Sequence, residues 1–326
     1  MSIIEHQAIS EFAREMIIES YYILMSVSRR TTQNGKPYLA GVLRDAGGCI
    51  PFVMWDDAPN LTDADVGKIV YANGEVQEYR NALQAKLLLL RIAGDNEADR
   101  FQRSDLIPYA PIDLEKTAAD MMKMLDTIED EFYHRMAKLA WCMLEPRLLV
   151  IPAAKSIHHA FVGGWLMHTW NMMCMAEQVV QQYGEQMSID RDLLILGTFL
   201  HDIGKVREFM LTDQKLVKDY SVEGSLLGHL MLGVVMLEDL VNDFFEAPDY
   251  DKLHQLEHII VSHHGSPEYG AAVYPQTVEA QIVHNLDGLD SRVEIFREEM
   301  GKTPEGSFSG FNRALQHRVY NNRSAS

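Results

Sequence analysis

Seven side chains that can bind a metal ion occur in five separate stretches of helical periodicity, each within an apolar context. Imidazole and carboxylate ligands without thiolates suit Mn²⁺, Fe²⁺ or Zn²⁺, and seven ligands are more than one ion needs. Two ions bridged by Asp202 account for this number, and such a pair can activate a water and stabilise the oxygens of a phosphodiester during in-line attack. The seven residues are His168, His201, Asp202, His229, His263, His264 and Asp287.

The sequence context separates these residues from ordinary histidines, which more often belong to a core or a surface. His201 and Asp202 end the apolar run LLILGTFL, where an unpartnered imidazole and carboxylate would be costly to bury. His263 and His264 close the run LEHIIV, and Asp287 stands one helical turn before Asp290. Several buried polar positions of one ligand type therefore favour a metal site over packing.

Two kinds of element must position these side chains. From Leu114 onward, apolar residues recur at spacings of three and four, which predicts an all-α second domain. Before it, short alternating runs such as YLAGVL and IPFVMW are separated by Asn-Gly and Gly-Gly turns, which predicts a small barrel of five strands. A barrel of this size fits an OB-fold, which commonly binds single strands. The predicted boundaries are an N-terminal extension over 1–19, the OB-fold over 20–95, a linker over 96–113 and the helical domain over 114–326.

Composition restricts the class of protein and its partners. The 326 residues are 47% hydrophobic, which is enough for two cores. The charged N-terminus and the lack of a long apolar run predict a cytoplasmic protein with no membrane partner. Three widely spaced cysteines indicate neither a disulfide framework nor a thiolate zinc site. The net charge of −18 disfavours a polyanionic partner, but residues 20–95 balance eight basic against eight acidic residues, so the barrel is the segment that tolerates one.

Several motifs together resemble a known family. GGWLMHT at His168, HDIGK at His201, GH at His229, SHHG at His263 and HNLDGLD at Asp287 resemble the HD-domain metal-dependent phosphohydrolases. More narrowly, PAAKSIHHAFVGG, YSVEGSLLGH and the QNGKPYL segment of the barrel look like the YhaM-type 3'-5' exoribonucleases, which join an N-terminal OB-fold to an HD domain. The resemblance spans about residues 20–320.

The resemblance implies a binuclear centre with Mn²⁺, for which Fe²⁺, Co²⁺ or Zn²⁺ are alternatives. Asp202 would bridge the ions, Asp290 would orient a ligand, and Lys205 would contact a phosphate oxygen unless it is a solvated helix-end lysine. One ion would be held by His168, His201, Asp202 and Asp287, and the other by Asp202, His229, His263 and His264. A polar cluster before the first ligand would contact phosphate or protonate the leaving group: Lys155, Ser156, His158 and His159.

The barrel supplies basic and aromatic side chains of the types that bind single strands. Any one of them could equally be core or solvated surface, so only the grouping is suggestive. The group comprises Arg29, Arg30, Lys36, Tyr38 and Arg80, with Trp55, Tyr79 and Lys86 as further members.

The sequence as a whole predicts a metal-dependent 3'-5' exoribonuclease. It would hydrolyse single-stranded RNA, and also single-stranded DNA if the sugar is not discriminated, to nucleoside 5'-monophosphates. One alternative is an HD-type phosphodiesterase or phosphatase acting on a small nucleotide, although such an enzyme would not require the barrel. Another is a non-catalytic nucleic-acid-binding accessory protein, which would be free to lose ligands. A homo-oligomer is compatible with the resemblance, but no surface patch in the sequence indicates one.

Overall fold

The computed structural model describes residues 4–32, 34–55, 58–80, 82–155 and 159–322. The chain forms two compact units. The first comprises residues 1–109 together with Leu211–Lys218, and the second comprises Ala110–Met210 and residues 219–326.

The first unit is a closed barrel whose strand order is β1-β2-β3-β5-β4. All neighbouring strands are antiparallel except β3 and β5, which pair in parallel through Phe52–Met54 and Ala85–Leu87. This is the five-stranded Greek-key barrel of an OB-fold, so the predicted fold class is confirmed. The strands are β1 (Ile17–Thr31), β2 (Pro37–Arg44), β3 (Cys49–Met54), β4 (Ile69–Tyr79) and β5 (Ala82–Ile92).

Two predicted boundaries of the barrel need correction. The expected extension over 1–19 contains the start of β1, and its Ile9 and Phe12 lie in the barrel core. The expected linker over 96–113 is largely packed structure, because Glu97 is buried and accepts hydrogen bonds from Arg91 and Tyr21. Apolar side chains and one acidic residue thus attach both flanking segments to the barrel.

The second unit is mainly helical, and its first long helix begins at Leu114 as the periodicity predicts. Asp or Ser side chains cap several of the helices, for example Asp130, Asp190 and Ser221, each by accepting a backbone N–H. The helices of the chain are α1 (Arg103–Leu106), α2 (Leu114–Leu125), α3 (Glu131–Leu148), α4 (Gly164–Met187), α5 (Arg191–Leu200), α6 (Lys205–Glu208), α7 (Val222–Phe244), α8 (Tyr250–Ser262) and α9 (Val278–Lys302).

A short hairpin departs from the predicted all-α character of residues 114–326. Strands β6 (Phe209–Leu211) and β7 (Val217–Tyr220) pair between α6 and α7. The segment is too short, and too rich in alternating charge, to show strand periodicity in the sequence.

Helix α7 has the length and mean hydropathy of a membrane span, and among the described residues it alone passes that test. Its backbone, however, leaves helical geometry at Gly228, and Leu232, Met236 and Leu237 are buried inside the protein. These features are those of a core helix, and a span chosen by length and composition alone is a weak indication.

Candidate functional site

The predicted metal ligands of the second unit lie just after the ends of two helices, at a break in a third and within two continuous helices. His201 and Asp202 directly follow α5, and His263 and His264 directly follow α8. His168 lies in the first turns of α4 and Asp287 in the middle of α9, while His229 directly follows the break at Gly228 in α7. A helix end lets successive residues point to one place, which explains why two ligand pairs occur there.

Asp202 is buried at the centre of the cluster. Its Oδ1 lies 3.5 Å from Nε2 of His229 and 3.7 Å from Nε2 of His263. Its Oδ2 lies 3.3 Å from Nε2 of His201 and accepts a hydrogen bond of 2.6 Å from Nζ of Lys205. One carboxylate therefore faces ligands from three elements.

The other ligands complete two neighbouring groups. His168 presents Nε2 at 3.4 Å from Oδ1 of Asp287, and the Nε2 atoms of His229 and His264 lie 3.3 Å apart. Two sets of three residues keep their ligand atoms within 4.8 Å of one another: His168 with His201 and Asp202, and His229 with His263 and His264. The structure thus brings all seven predicted residues together.

Hydrogen bonds fix which nitrogen of each ring faces the cluster. Nδ1–H of His201 donates to the carbonyl of Thr198 at 2.7 Å, and Nδ1–H of His263 donates to that of Ile260 at 2.8 Å. A carbonyl oxygen can only accept, so in these rings the proton is on Nδ1 and Nε2 offers its lone pair. This is the tautomer that a metal ligand requires.

The donor set fits divalent cations. Nε2 of His201 and Oδ1 of Asp202 are buried and have no hydrogen-bond partner among the described residues. Nδ1 of His264 is also buried and also has no hydrogen-bond partner among the described residues. Buried polar atoms are normally satisfied, and cations bound at these atoms would satisfy them.

The electrostatics keep the carboxylates ionised. Burial by itself raises the pKa of Asp202, but Lys205 and the neighbouring imidazoles outweigh it and hold that pKa well below its ordinary value. The pKa of Asp287 is likewise lowered, because His168 outweighs burial. Burial also lowers the pKa of His263 and of His264, which favours their neutral form. Ionised acids and neutral imidazoles are the forms that bind a metal. His168 departs from this pattern, because Asp287 and Asp290 outweigh the effect of burial and raise its pKa to about 9.

The predicted polar cluster before α4 is divided by the structure. His159 is buried, and its Nε2 lies 2.8 Å from Oδ2 of Asp290, the oxygen that also accepts from Nδ1 of His168 at 2.6 Å. Lys155 instead donates to Asp219 at 2.9 Å and is partly exposed. Ser156 and His158 lie outside the described residues.

Sequence reasoning missed Glu208, the last residue of α6. It is buried, and its Oε1 lies 3.2 Å from Nδ1 of His229 and accepts the backbone N–H of the same residue at 3.0 Å. Nothing in the run KVREF marks this glutamate, because its partner is 21 residues further along the chain.

One face of the barrel combines aromatic and basic side chains around a groove of about 590 Å³. Tyr38 and Trp55 stack with ring centroids 4.7 Å apart, and the guanidinium of Arg80 lies over Tyr79. Arg30 also lines the groove. A stacking platform beside basic groups is what single-strand binding uses.

The remaining predicted members of the barrel group lie outside the groove lining. Arg29 donates to the carbonyl of Pro59, Lys36 is exposed on the turn before β2, and Lys86 is exposed on β5. The groove thus includes part of the predicted group, and a contact of Arg29, Lys36 or Lys86 with a single strand stays a prediction.

Comparisons with known proteins agree with this architecture. The HD domain family model matches residues 165–292, which contain every predicted ligand. The fold and the site thus define an OB-fold barrel joined to an HD domain. Over 93% of its length the chain is similar to 3'-5' exoribonuclease YhaM from Oceanobacillus iheyensis, with 28% identity over 92% of that protein. The protein of the same name from a Geobacillus species is 29% identical over 91% of its length, so the resemblance to YhaM-type proteins is confirmed.

Among solved structures, one match is the second OB-fold domain of replication protein A from Methanococcus maripaludis. It is 16% identical, it covers 26% of this chain and 92% of that chain, and its TM-score is 0.23. The assignment of the barrel as an OB-fold rests on its own strand order.

Proposed function

We propose that this protein is a metal-dependent 3'-5' exoribonuclease that hydrolyses single-stranded RNA to nucleoside 5'-monophosphates. The observation that carries the proposal is the convergence of seven histidine and aspartate side chains, among which the buried Asp202 is central. Relatives named 3'-5' exoribonuclease YhaM match both parts of the chain and support the RNA substrate.

The proposed ligand set assigns two divalent ions, with Mn²⁺ as the favoured metal. His168, His201, Asp202 and Asp287 would hold one, and Asp202, His229, His263 and His264 the other. The ions would supply an activated water and Lewis-acid stabilisation of the phosphodiester oxygens.

The chain's own residues would hold the reacting groups. Lys205 is held beside Asp202 with its side chain 16% exposed, where it can donate to a phosphate oxygen as negative charge develops. Asp290 fixes the ring of His168, and His159 bonds the same carboxylate oxygen. We therefore propose a positioning role for His159 in place of the expected proton donor, and a phosphate contact for the partly exposed Lys155.

The groove formed by Tyr38, Trp55, Tyr79 and Arg80 would bind the bases and backbone of the single strand. A small-nucleotide hydrolase has no use for such a groove. We also propose a cytoplasmic protein that acts without a membrane partner; a homo-oligomer is compatible with this function.

The test is a time course on 5'-labelled single-stranded RNA with Mn²⁺, with and without EDTA, beside the variant Asp202→Ala. We expect a descending ladder of single-nucleotide steps that requires both the metal and Asp202. Intact RNA under all conditions, together with hydrolysis of bis(p-nitrophenyl) phosphate, would contradict the RNA substrate and favour a small-nucleotide phosphohydrolase.

A further inference from the structure

Glu208 and His229 make a two-point contact that the metal ligands alone do not explain. A single side-chain oxygen, Oε1 of Glu208, accepts the backbone N–H of His229 at 3.0 Å and lies 3.2 Å from Nδ1 of its ring. Glu208 is only 7% exposed. A buried carboxylate is costly unless it is hydrogen-bonded, so these donors account for its position.

The backbone of α7 creates the need for this acceptor. Gly228 adopts φ 70° and ψ 162°, which breaks the helix one residue before the metal ligand. The N–H groups that follow such a break lose their helical acceptors, as at any helix N-terminus. Glu208 therefore caps the second half of α7 with the same oxygen that orients the ring of His229.

Close packing of α6 on α7 places the carboxylate there. A Cβ atom on Gly224 would lie 2.9 Å from Cγ and 2.7 Å from the carbonyl oxygen of Glu208. The backbone N–H of Ser221 also donates to that carbonyl at 2.8 Å. The glycine thus leaves the space that Glu208 occupies, and Gly228 supplies the positive φ of the break.

The contact between Glu208 and His229 gives the second group of predicted ligands a feature that the first group also has. His168 is supported by Asp290, and His229 by Glu208, whereas His201 and His263 bond main-chain carbonyls. A carboxylate behind an imidazole fixes the ring and raises its basicity toward a metal. Each group of ligands therefore contains one carboxylate-supported imidazole.

We propose that Glu208 is a positioning residue that fixes the His229 imidazole and thereby sets the affinity of the ion held by His229, His263 and His264. This inference rests on the proposed binuclear centre. Outer residues of this kind typically change metal affinity by about 10- to 100-fold.

The test compares the affinity of the wild type and Glu208→Gln for Mn²⁺ by calorimetry, with the bound metal counted by elemental analysis. Glutamine keeps the volume and can still accept the backbone N–H of His229, so the variant should fold as judged by circular dichroism. Glu223→Gln is the matched control, because Glu223 is an exposed partner of Arg207 on the neighbouring turn. We expect two equivalents in the wild type and the control, and one of the two weakened about 10- to 100-fold in Glu208→Gln.

The outcomes separate the inference from the proposed function. Two equivalents of unchanged affinity in Glu208→Gln would overturn the inference alone. Fewer than two equivalents in the wild type would overturn the binuclear centre, and the inference with it. If Glu208→Gln does not fold, Glu208→Asp is the alternative variant, because it keeps the negative charge but shortens the side chain by one methylene. Weaker binding of one of the two ions in this variant would support the inference. Unchanged affinity for both ions would overturn it.

Discussion

The ammonium group of Lys205 is held beside the predicted metal ligand Asp202 and not in solvent. Its Nζ donates to Asp202 at 2.6 Å, and the charge of Asp202 raises the pKa of Lys205 although burial lowers it. The lysine therefore stays protonated at neutral pH. A fixed positive charge at this place can stabilise negative charge that develops on a phosphate.

Lys205→Met is expected to lower kcat for RNA hydrolysis by about 100-fold or more, with a smaller change in KM, because the interaction strengthens in the transition state. Methionine keeps the length of the side chain and removes its charge. Steady-state kinetics on a short labelled RNA measure the effect, with Lys116→Met, at an exposed position in the first turn of α2, as control. A rise in KM at unchanged kcat would show that Lys205 only binds substrate.

The residues of the candidate site that could bind a metal were easier to find in the sequence than the residue that supports His229. His201 and Asp202 were identifiable because they end an apolar run, whereas the role of Asp290 was expected from the family resemblance. Glu208 gives no such signal, since a glutamate in a charged segment is ordinarily solvated. Glu208 reaches the backbone N–H and the ring of His229 only through the packing of α6 on the break in α7, and the sequence does not show that tertiary contact.

At the scale of elements, the strands of the barrel were predictable because alternation and turn residues agree with each other. The structure of the segment after β5 was not predictable, because its polar composition resembles that of a linker. Its buried Glu97 nevertheless attaches it to the barrel. Both oxygens of Glu97 accept from Arg91, at 2.6 and 2.7 Å, and Tyr21 donates to the same carboxylate. The β6–β7 hairpin was missed because three or four residues show no period.

Glu97→Gln is expected to lower the free energy of unfolding of the barrel by about 2 kcal/mol at pH 7, because it removes charge-assisted hydrogen bonds. The bonds to Arg91 lower the pKa of Glu97 below its ordinary value of 4.5. A lowered folded-state pKa contributes stability above pH 4.5 that is lost as the pH falls toward the folded-state value. The difference between wild type and variant should therefore shrink on acidification.

Hydrogen exchange of barrel amides between pH 4 and 7 measures this difference once intrinsic rates are corrected. Glu78→Gln, at the exposed end of β4, serves as control. A difference that is constant with pH would mean that the carboxylate charge is not what attaches the segment.

Trp55→Ala is expected to weaken binding of single-stranded RNA about 10- to 100-fold, because one base stack contributes about 1–3 kcal/mol. Trp55 stacks on Tyr38 at the groove, and its loss leaves one ring without its neighbour. Fluorescence anisotropy in EDTA measures binding without cleavage. Leu88→Ala, which removes a 71% exposed side chain elsewhere on β5, should bind as the wild type; equal weakening in both variants would contradict a specific groove.

At the scale of the whole molecule, the two units differ in charge, and the predicted metal ligands all lie in the mainly helical unit. The unit that contains the barrel carries 13 basic and 16 acidic residues, whereas the mainly helical unit carries 16 basic and 31 acidic residues. The acidic surplus suits bound cations and opposes a long polyanion. Affinity for RNA should therefore reside in the barrel, and chemistry in the HD domain.

Asp202→Ala tests this division, because it removes the central ligand and leaves the barrel untouched. We expect hydrolysis to be lost while the affinity for single-stranded RNA, measured in EDTA, stays within about twofold of the wild type, since no barrel contact changes. Equal loss of binding and hydrolysis in a folded variant would refute the division, because it would mean that capture requires the metal ligands.

The basic residues that line the described groove are Arg30 and Arg80, so the logarithm of the RNA-binding constant plotted against the logarithm of the salt concentration should have a shallow slope of about −1 to −3. A steep slope in the intact protein would indicate phosphate contacts well beyond Arg30 and Arg80, and hence a second basic surface for the RNA.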